Sequence, residues 1–188
     1  MWWRELWPRA RRVAQLVAVL ATAALSAGCW EPLYGTHPGA NSEGVQDKFA
    51  AIEIPPIEVA KGDPVARVAV GMFNALNFNL HNGGKGAPPV YRLVVNVNSS
   101  LYTAVIDTNT GRPNAQVKTV TARFRLIELA TDKTVLSDLT SAEVDLDIPG
   151  SEQRFAGQRA VRDAEDRAIL VAAQAIRSRL ASYFVAGT

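Results

Sequence analysis

The chain has 188 residues, with 20 Lys plus Arg against 18 Asp plus Glu, and a single cysteine. One thiol excludes an internal disulfide framework. Four of the arginines and one glutamate fall in residues 1–28, so the remainder holds 16 basic and 17 acidic side chains, net −1; bulk charge gives no case for nucleic-acid binding, and the remainder is the length of one domain that can bury a core without disulfides.

In chain order, Arg4, Arg9, Arg11 and Arg12 form a positive opening segment, and residues 13–27 are an uncharged apolar run. Ala27 and Gly28 then precede Cys29. This is the three-part pattern of an export signal, and the apolar run is shorter than the ~20 residues of a membrane span. The run from Leu25 to Cys29 resembles a bacterial lipobox, departing from it at Ser26, where a large apolar residue is usual. Two readings are open. Either Cys29 is the lipid attachment site, or it is incidental to a plain secretory signal. The small residues before it favour the first. Residues 1–28 would then be removed, and Cys29 would carry a diacylglycerol and an N-acyl chain. Each buried CH₂ contributes about 0.8 kcal/mol, and two or more chains anchor stably where one does not. Trp30 follows in place of an Asp that would retain a lipoprotein in the inner membrane, so the expected location is the periplasmic face of the outer membrane.

Residues 29–47 are rich in Gly, Pro, Asn and Ser and read as a lipidated, flexible tether. A single α+β domain is expected over 48–188. Ile52, Ile54 and Ile57 around Pro55-Pro56 suggest a short strand at a sheet edge. Asp63-Pro64 opens a helix, Asp as the cap and Pro in the first turn. Val65, Val68, Ala69, Met72, Phe73, Leu76 and Leu80 recur at spacings of three and four, one buried face, and Asn82-Gly83-Gly84 stops the helix. From Tyr91 the period becomes two: Tyr91, Leu93, Val95 and Val97 share a face, in a strand reaching to about Ile106. A second strand over about 117–129 places Val120, Ala122, Phe124 and Leu126 inward and Thr119, Thr121, Arg123 and Arg125 outward. A third spans 134–148. A final helix over about 155–184 carries a stripe of Val161, Ala164, Ala168, Val171, Ala172, Ala175, Ile176, Leu180 and Tyr183. The order β-α-β-β-β-α predicts a two-layer α+β sandwich, a mainly antiparallel four-stranded sheet with two helices on one face.

Catalytic signals are poor. His37 and His81 have no second His or Cys nearby, so no metal site is expected. Asp107, Asn109 and Gly111 lack the further oxygen ligands of a calcium loop and read as a turn. Asp145 and Asp147 alternate with apolar residues and belong to the solvent face of a strand. Asp163, Glu165 and Asp166 lie near the start of the last helix, where acids suit the dipole. No serine stands in a nucleophile elbow. The expectation is a protein that is not an enzyme and uses no cofactor beyond its lipid chains. What remains is binding, for which Arg112, Lys118, Arg123, Arg125 and Lys133 are the basic residues expected on loops and exposed strand faces; the competing reading is that they keep strand edges soluble.

The run Cys29-Trp30-Glu31-Pro32-Leu33-Tyr34-Gly35 resembles the start of the lipopolysaccharide-assembly lipoproteins (the LptE family) of alphaproteobacterial type. Trp30 and Glu31 stand where the family has a glycine and an aromatic pair. The Ile52-Glu53-Ile54 strand, the Tyr91-Arg92-Leu93-Val94-Val95 strand and the Ala-rich last helix are compatible in order and length. The resemblance implies a lipoprotein that plugs and partners an LptD-type outer-membrane β-barrel and binds lipopolysaccharide as it enters the outer leaflet. It implies cationic contacts to lipid phosphates, for which Arg112 and Lys133 are the loop-tip candidates by position. An auxiliary lipoprotein of an ABC-type lipid transporter is the alternative, with the same kind of anchor and domain.

Overall fold

The computed structural model describes residues 44–84, 86–106, 108, 111, 113–147 and 154–186. Cys29 and Arg112 lie outside these residues. In chain order the elements are α1 (Val45–Ala50), β1 (Ile52–Glu53), α2 (Ala66–His81), β2 (Tyr91–Ile106), β3 (Pro113–Glu128), β4 (Lys133–Asp147) and α3 (Arg154–Ala186). The sheet order is β1-β2-β3-β4, with β1 parallel to β2 and the other pairs antiparallel. This is the expected α+β architecture, with one further helix.

That helix, α1, is a turn and a half in a segment whose composition reads as linker. The Asp47 carboxylate accepts the Gly44 N–H at 3.0 Å, which caps it, and Phe49 is fully buried. Tertiary burial of one aromatic thus fixes a helix too short to stand alone. The predicted first strand shrinks to two residues. Ala51 O accepts the Val90 and Tyr91 N–H groups at 2.8 and 3.2 Å, and His81 Nε2 lies 3.0 Å from Ile52 O. The corner is held by backbone bonds to α1, β1 and the approach to β2, while Pro55 and Pro56 end the ladder.

Asp63 turns the chain into α2: its carboxylate accepts the Val65 N–H at 2.8 Å, and the helix proper begins three residues later than the Asp. It ends where expected, with Asn82 in the left-handed region at φ 50° followed by Gly83 at φ 72°, a glycine-assisted stop. Val68, Ala69, Met72, Leu76 and Leu80 are its buried face.

Leu93, Val95, Val120, Ala122, Phe124, Leu126 and Ala142 form the sheet side of the core. The helix side adds Ala164, Ala168, Ile169, Ala172, Ala173, Ile176, Leu180 and Ala181 from α3. Alanines on that side bring α3 close to the strands. The buried arc keeps most of the expected stripe and is wider than it. Val171 is 56 % exposed, and Ile169, Ala173 and Ala181 take up the contact with α2 and the sheet. Helix α2 crosses α3 at Gly71, where an added Cβ would stand 2.9 Å from Ile169 Cδ1. One end of the sandwich is closed by aromatic rings: Phe184 meets Phe49 edge-on at 6.1 Å and Tyr91 at 5.3 Å between centroids.

Candidate functional site

The residues singled out in the sequence fall into three places. Lys133, the first residue of β4, is exposed and stands opposite Glu128 across the β3–β4 turn. The second place is the interior. Lys118 does not project to solvent as expected of it. It follows the inward parity of Val120 and Phe124, is 8 % exposed, and its Nζ donates to Glu165 Oε2 at 2.7 Å. Glu165 is 9 % exposed, and its other oxygen accepts Arg67 Nη1 at 2.6 Å. Arg67 Nη2 also reaches both Asp166 oxygens, at 2.6 and 2.8 Å. These acids are therefore not helix-start residues, since α3 opens eleven residues before Glu165.

The network joins α2, β3 and α3. Burial alone would raise the Glu165 carboxyl, but the hydrogen bonds from Lys118 and Arg67 outweigh it and hold the group below its ordinary value. Its hydrogen bond to Glu165 raises the Arg67 guanidinium, against partial desolvation and with help from Asp166. Both carboxylate oxygens of Glu165 are engaged, so the cluster is a lock between elements and offers no open position to a ligand. Among the described residues no group of three His, Cys, Asp or Glu side chains is placed to hold a metal, and no helix is long and apolar enough to cross a membrane.

The third place is the sheet face that carries no helix. Here Arg123 and Arg125 project from the central strand β3, as predicted. Asn96 is opposite Arg123 and Asn98 opposite Thr121 on β2; Leu139, Ser137 and Ser141 are opposite Arg123, Arg125 and Thr121 on β4. Thr121 and Ser141 hydroxyls lie 3.4 Å apart. Asn96, Val97, Asn98, Thr121, Arg123 and Leu139 line a shallow groove of about 320 Å³. Three other arginines of the domain sit beside acids: Arg92 by Glu53 at 2.9 Å, Arg167 by Asp163 at 2.9 Å, Arg179 by Asp138 at 3.2 Å. Among the described residues Arg123 and Arg125 have no acidic partner; the residues directly opposite them across both ladders are Asn, Val, Ser and Leu.

The chain resembles known proteins in its fold alone. No protein-family model matches it, and no curated protein sequence does. Solved structures share its fold. A protein described as a lipoprotein, from Caulobacter crescentus, superposes with a TM-score of 0.57 at 21 % identity, covering 75 % of this chain and 96 % of that one. The rare lipoprotein B of Shewanella oneidensis gives 0.50 at 16 %, covering 72 % and 95 %. A Helicobacter pylori homologue of the neuraminyllactose-binding haemagglutinin gives 0.51 at 12 %, covering 82 % and 94 %. At these identities the likeness is one of fold. It confirms the two-layer sandwich as an arrangement that bacterial lipoproteins use.

The sequence reading missed the Lys118–Glu165 pair, although two signals for it were present. Lys118 has the parity of the inward residues of β3, and Glu165 adjoins the alanine stripe of α3. An acid and a base each placed on a buried face call for one another.

Proposed function

We propose that this protein is a lipid-anchored lipoprotein of the outer membrane, attached through Cys29 on the periplasmic side, that partners an outer-membrane β-barrel of the LptD type and binds lipopolysaccharide during its insertion. The observation that carries the reading is Cys29 itself, placed after a signal-like segment and followed by Pro32-Leu33-Tyr34-Gly35. The shared fold with bacterial lipoproteins supports it. So does the shape of the domain. One face of a long sheet is left open and polar, as a body seated against the polar wall of a barrel lumen requires. The work is binding and positioning, with no turnover.

The test has two arms in cells. Labelling with a palmitate analogue should mark the wild-type chain and not Cys29→Ala. Photo-crosslinkers at Tyr102 and Ser141, on the open face, should capture a large β-barrel protein whose depletion lowers surface lipopolysaccharide. Labelling of Cys29→Ala at the wild-type level would remove the anchor. Crosslinks only to soluble periplasmic proteins, or to the components of a transporter, would overturn the barrel partnership.

A further inference from the structure

We propose that the groove on the helix-free sheet face is a binding site for a phosphorylated saccharide, with Arg123 in the groove and Arg125 beside it on β3 gripping the phosphate, and Asn96, Asn98 and Thr121 on the sugar hydroxyls. The choice of a glycolipid headgroup as the natural source rests on the reading above; the site itself rests on the sheet.

The argument begins with charge. Arg123 and Arg125 are two residues apart on one strand, so their Cα atoms stand about 7 Å apart on the same face. Every residue directly opposite either of them is uncharged, and both side chains are exposed. Two adjacent, uncompensated guanidinium groups repel each other and attract an anion, and their planar forks match the oxygens of a phosphate. Acids are present on the same face. Glu143 and Asp145 stand on β4 opposite Thr119 and Val117, two and four residues along β4 from Ser141, and Glu53 on β1 is taken up by Arg92 at 2.9 Å. They leave the arginine end positive and do not neutralise it.

The rest of the groove selects a sugar over bare phosphate. Asn96 offers a carbonyl acceptor and an amide donor, the pairing that adjacent hydroxyls of a saccharide require, and Asn98, whose Oδ1 accepts the Ser99 N–H at 2.8 Å, adds its amide donor. Thr121 and Ser141 add hydroxyls. Leu139, 52 % exposed on the far side of Arg123, supplies an apolar wall for the C–H face of a ring. The groove volume is at the small end of the roughly 300–1,000 Å³ of small-molecule sites, so it holds a headgroup and leaves acyl chains outside. All these side chains stand on three paired strands, which hold a site more closely than loops do. Lys133 is not part of it.

Isothermal titration on the full-length protein in mild detergent tests the site. The probes are a bis-phosphorylated glucosamine disaccharide without acyl chains, its dephosphorylated counterpart, and inorganic phosphate. The phosphorylated disaccharide should bind at least tenfold more tightly than either other probe. Arg123→Gln with Arg125→Gln should weaken it tenfold or more. Asn96→Ala with Thr121→Val should weaken the disaccharide three- to tenfold and leave inorganic phosphate unchanged. Lys61→Gln, on an exposed loop, should change nothing. Circular dichroism and thermal melting must match the wild type for each variant. Equal binding of all three probes, or full affinity in the arginine double variant, would overturn the site. If crosslinking finds no barrel while the disaccharide still binds through Arg123 and Arg125, the partnership fails and the site stands; a flat titration beside a captured barrel removes the site alone.

Discussion

The two ends of the β2–β3 hairpin are built differently. At the end that contains Tyr91 and Glu128, the sheet is covered by α1, α2 and α3 and sealed by the rings of Phe49, Tyr91, Tyr183 and Phe184. At the other end, the sixteen residues of β2, roughly 50 Å of strand, run on past the core. Every residue from Ser100 to Ile106 is exposed, including Leu101, Tyr102, Val105 and Ile106. Phe155, at the start of α3, is 83 % exposed as well. The Arg67–Glu165–Lys118 network marks the change from one regime to the other, since Lys118 pairs with Leu101, the first large apolar residue of the exposed run. Cross-strand hydrogen bonding, with Val117 and Leu146 as the buried apolar residues, holds the distal half, whereas the continuous core holds the proximal half. Stability should therefore be concentrated at one end and the free apolar surface at the other.

Substitutions can break or sharpen this contrast. The largest effect belongs to the proximal core. Phe124→Ala empties a fully buried site and should cost about 3–5 kcal/mol, read as a lowered midpoint in urea with an unchanged slope. Next is the boundary. Glu165→Ala strands Lys118 as a buried unpaired cation and should cost about 3 kcal/mol. Adding Lys118→Met to that variant should recover most of the loss, and a double variant no more stable than Glu165→Ala would show that the ion pair does not set the boundary.

Acid should act at the same place. The Glu165 carboxyl is held below its ordinary value in the folded state, so its contribution is complete above the carboxylate range and is lost as pH falls through the folded-state value. Melting temperature should drop on acidification in the wild type, and the part owed to this group should vanish in Glu165→Gln. A smaller effect is expected at Gly71→Ala. The new methyl meets Ile169 at 2.9 Å, costing about 1–2 kcal/mol of crowding, offset by the higher helix propensity of alanine, about 1 kcal/mol. The net change in urea midpoint should be small and unfavourable. The smallest is distal: Val105→Ser should alter stability by no more than about 0.5 kcal/mol, while reducing binding of an apolar dye. A large loss there would mean that the distal strand carries core contacts after all.

Much of this was legible in the sequence where one periodicity dominates. The alternation in residues 91–98 and 119–126 fixed which residues point inward, and the three-four spacing in 65–80 fixed the buried face of α2. Those patterns arise because each element buries one face on a common core. The last helix was less legible. It packs against both a sheet and α2, so its buried arc is wider than one stripe and takes in Ile169 and Ala173. Helix α1 was hidden because a single buried Phe decides it, and one residue has no period. Lys118 runs against its residue type: a base is expected in solvent, and only its parity with Val120 and Phe124 shows that it points inward. The open-face groove was half visible. Arg123 and Arg125 were outward by alternation, but their lack of an acidic neighbour depends on the register of β2 and β4, which pairs residues 27 and 16 positions away from Arg123.

The burial of Phe49 bears on how load enters the domain. Any tension transmitted along the chain before Gly44 arrives first at α1, whose Phe49 is wedged against Phe184 beneath the Arg177 guanidinium, 5.8 Å from the ring centre. The pull is thus taken by the last turns of α3 and by the cap of the core before it reaches the two-residue strand β1. Yielding at that point requires extracting a whole aromatic ring, so α1 acts as a rivet that keeps the weakest pairing in the sheet from being peeled open.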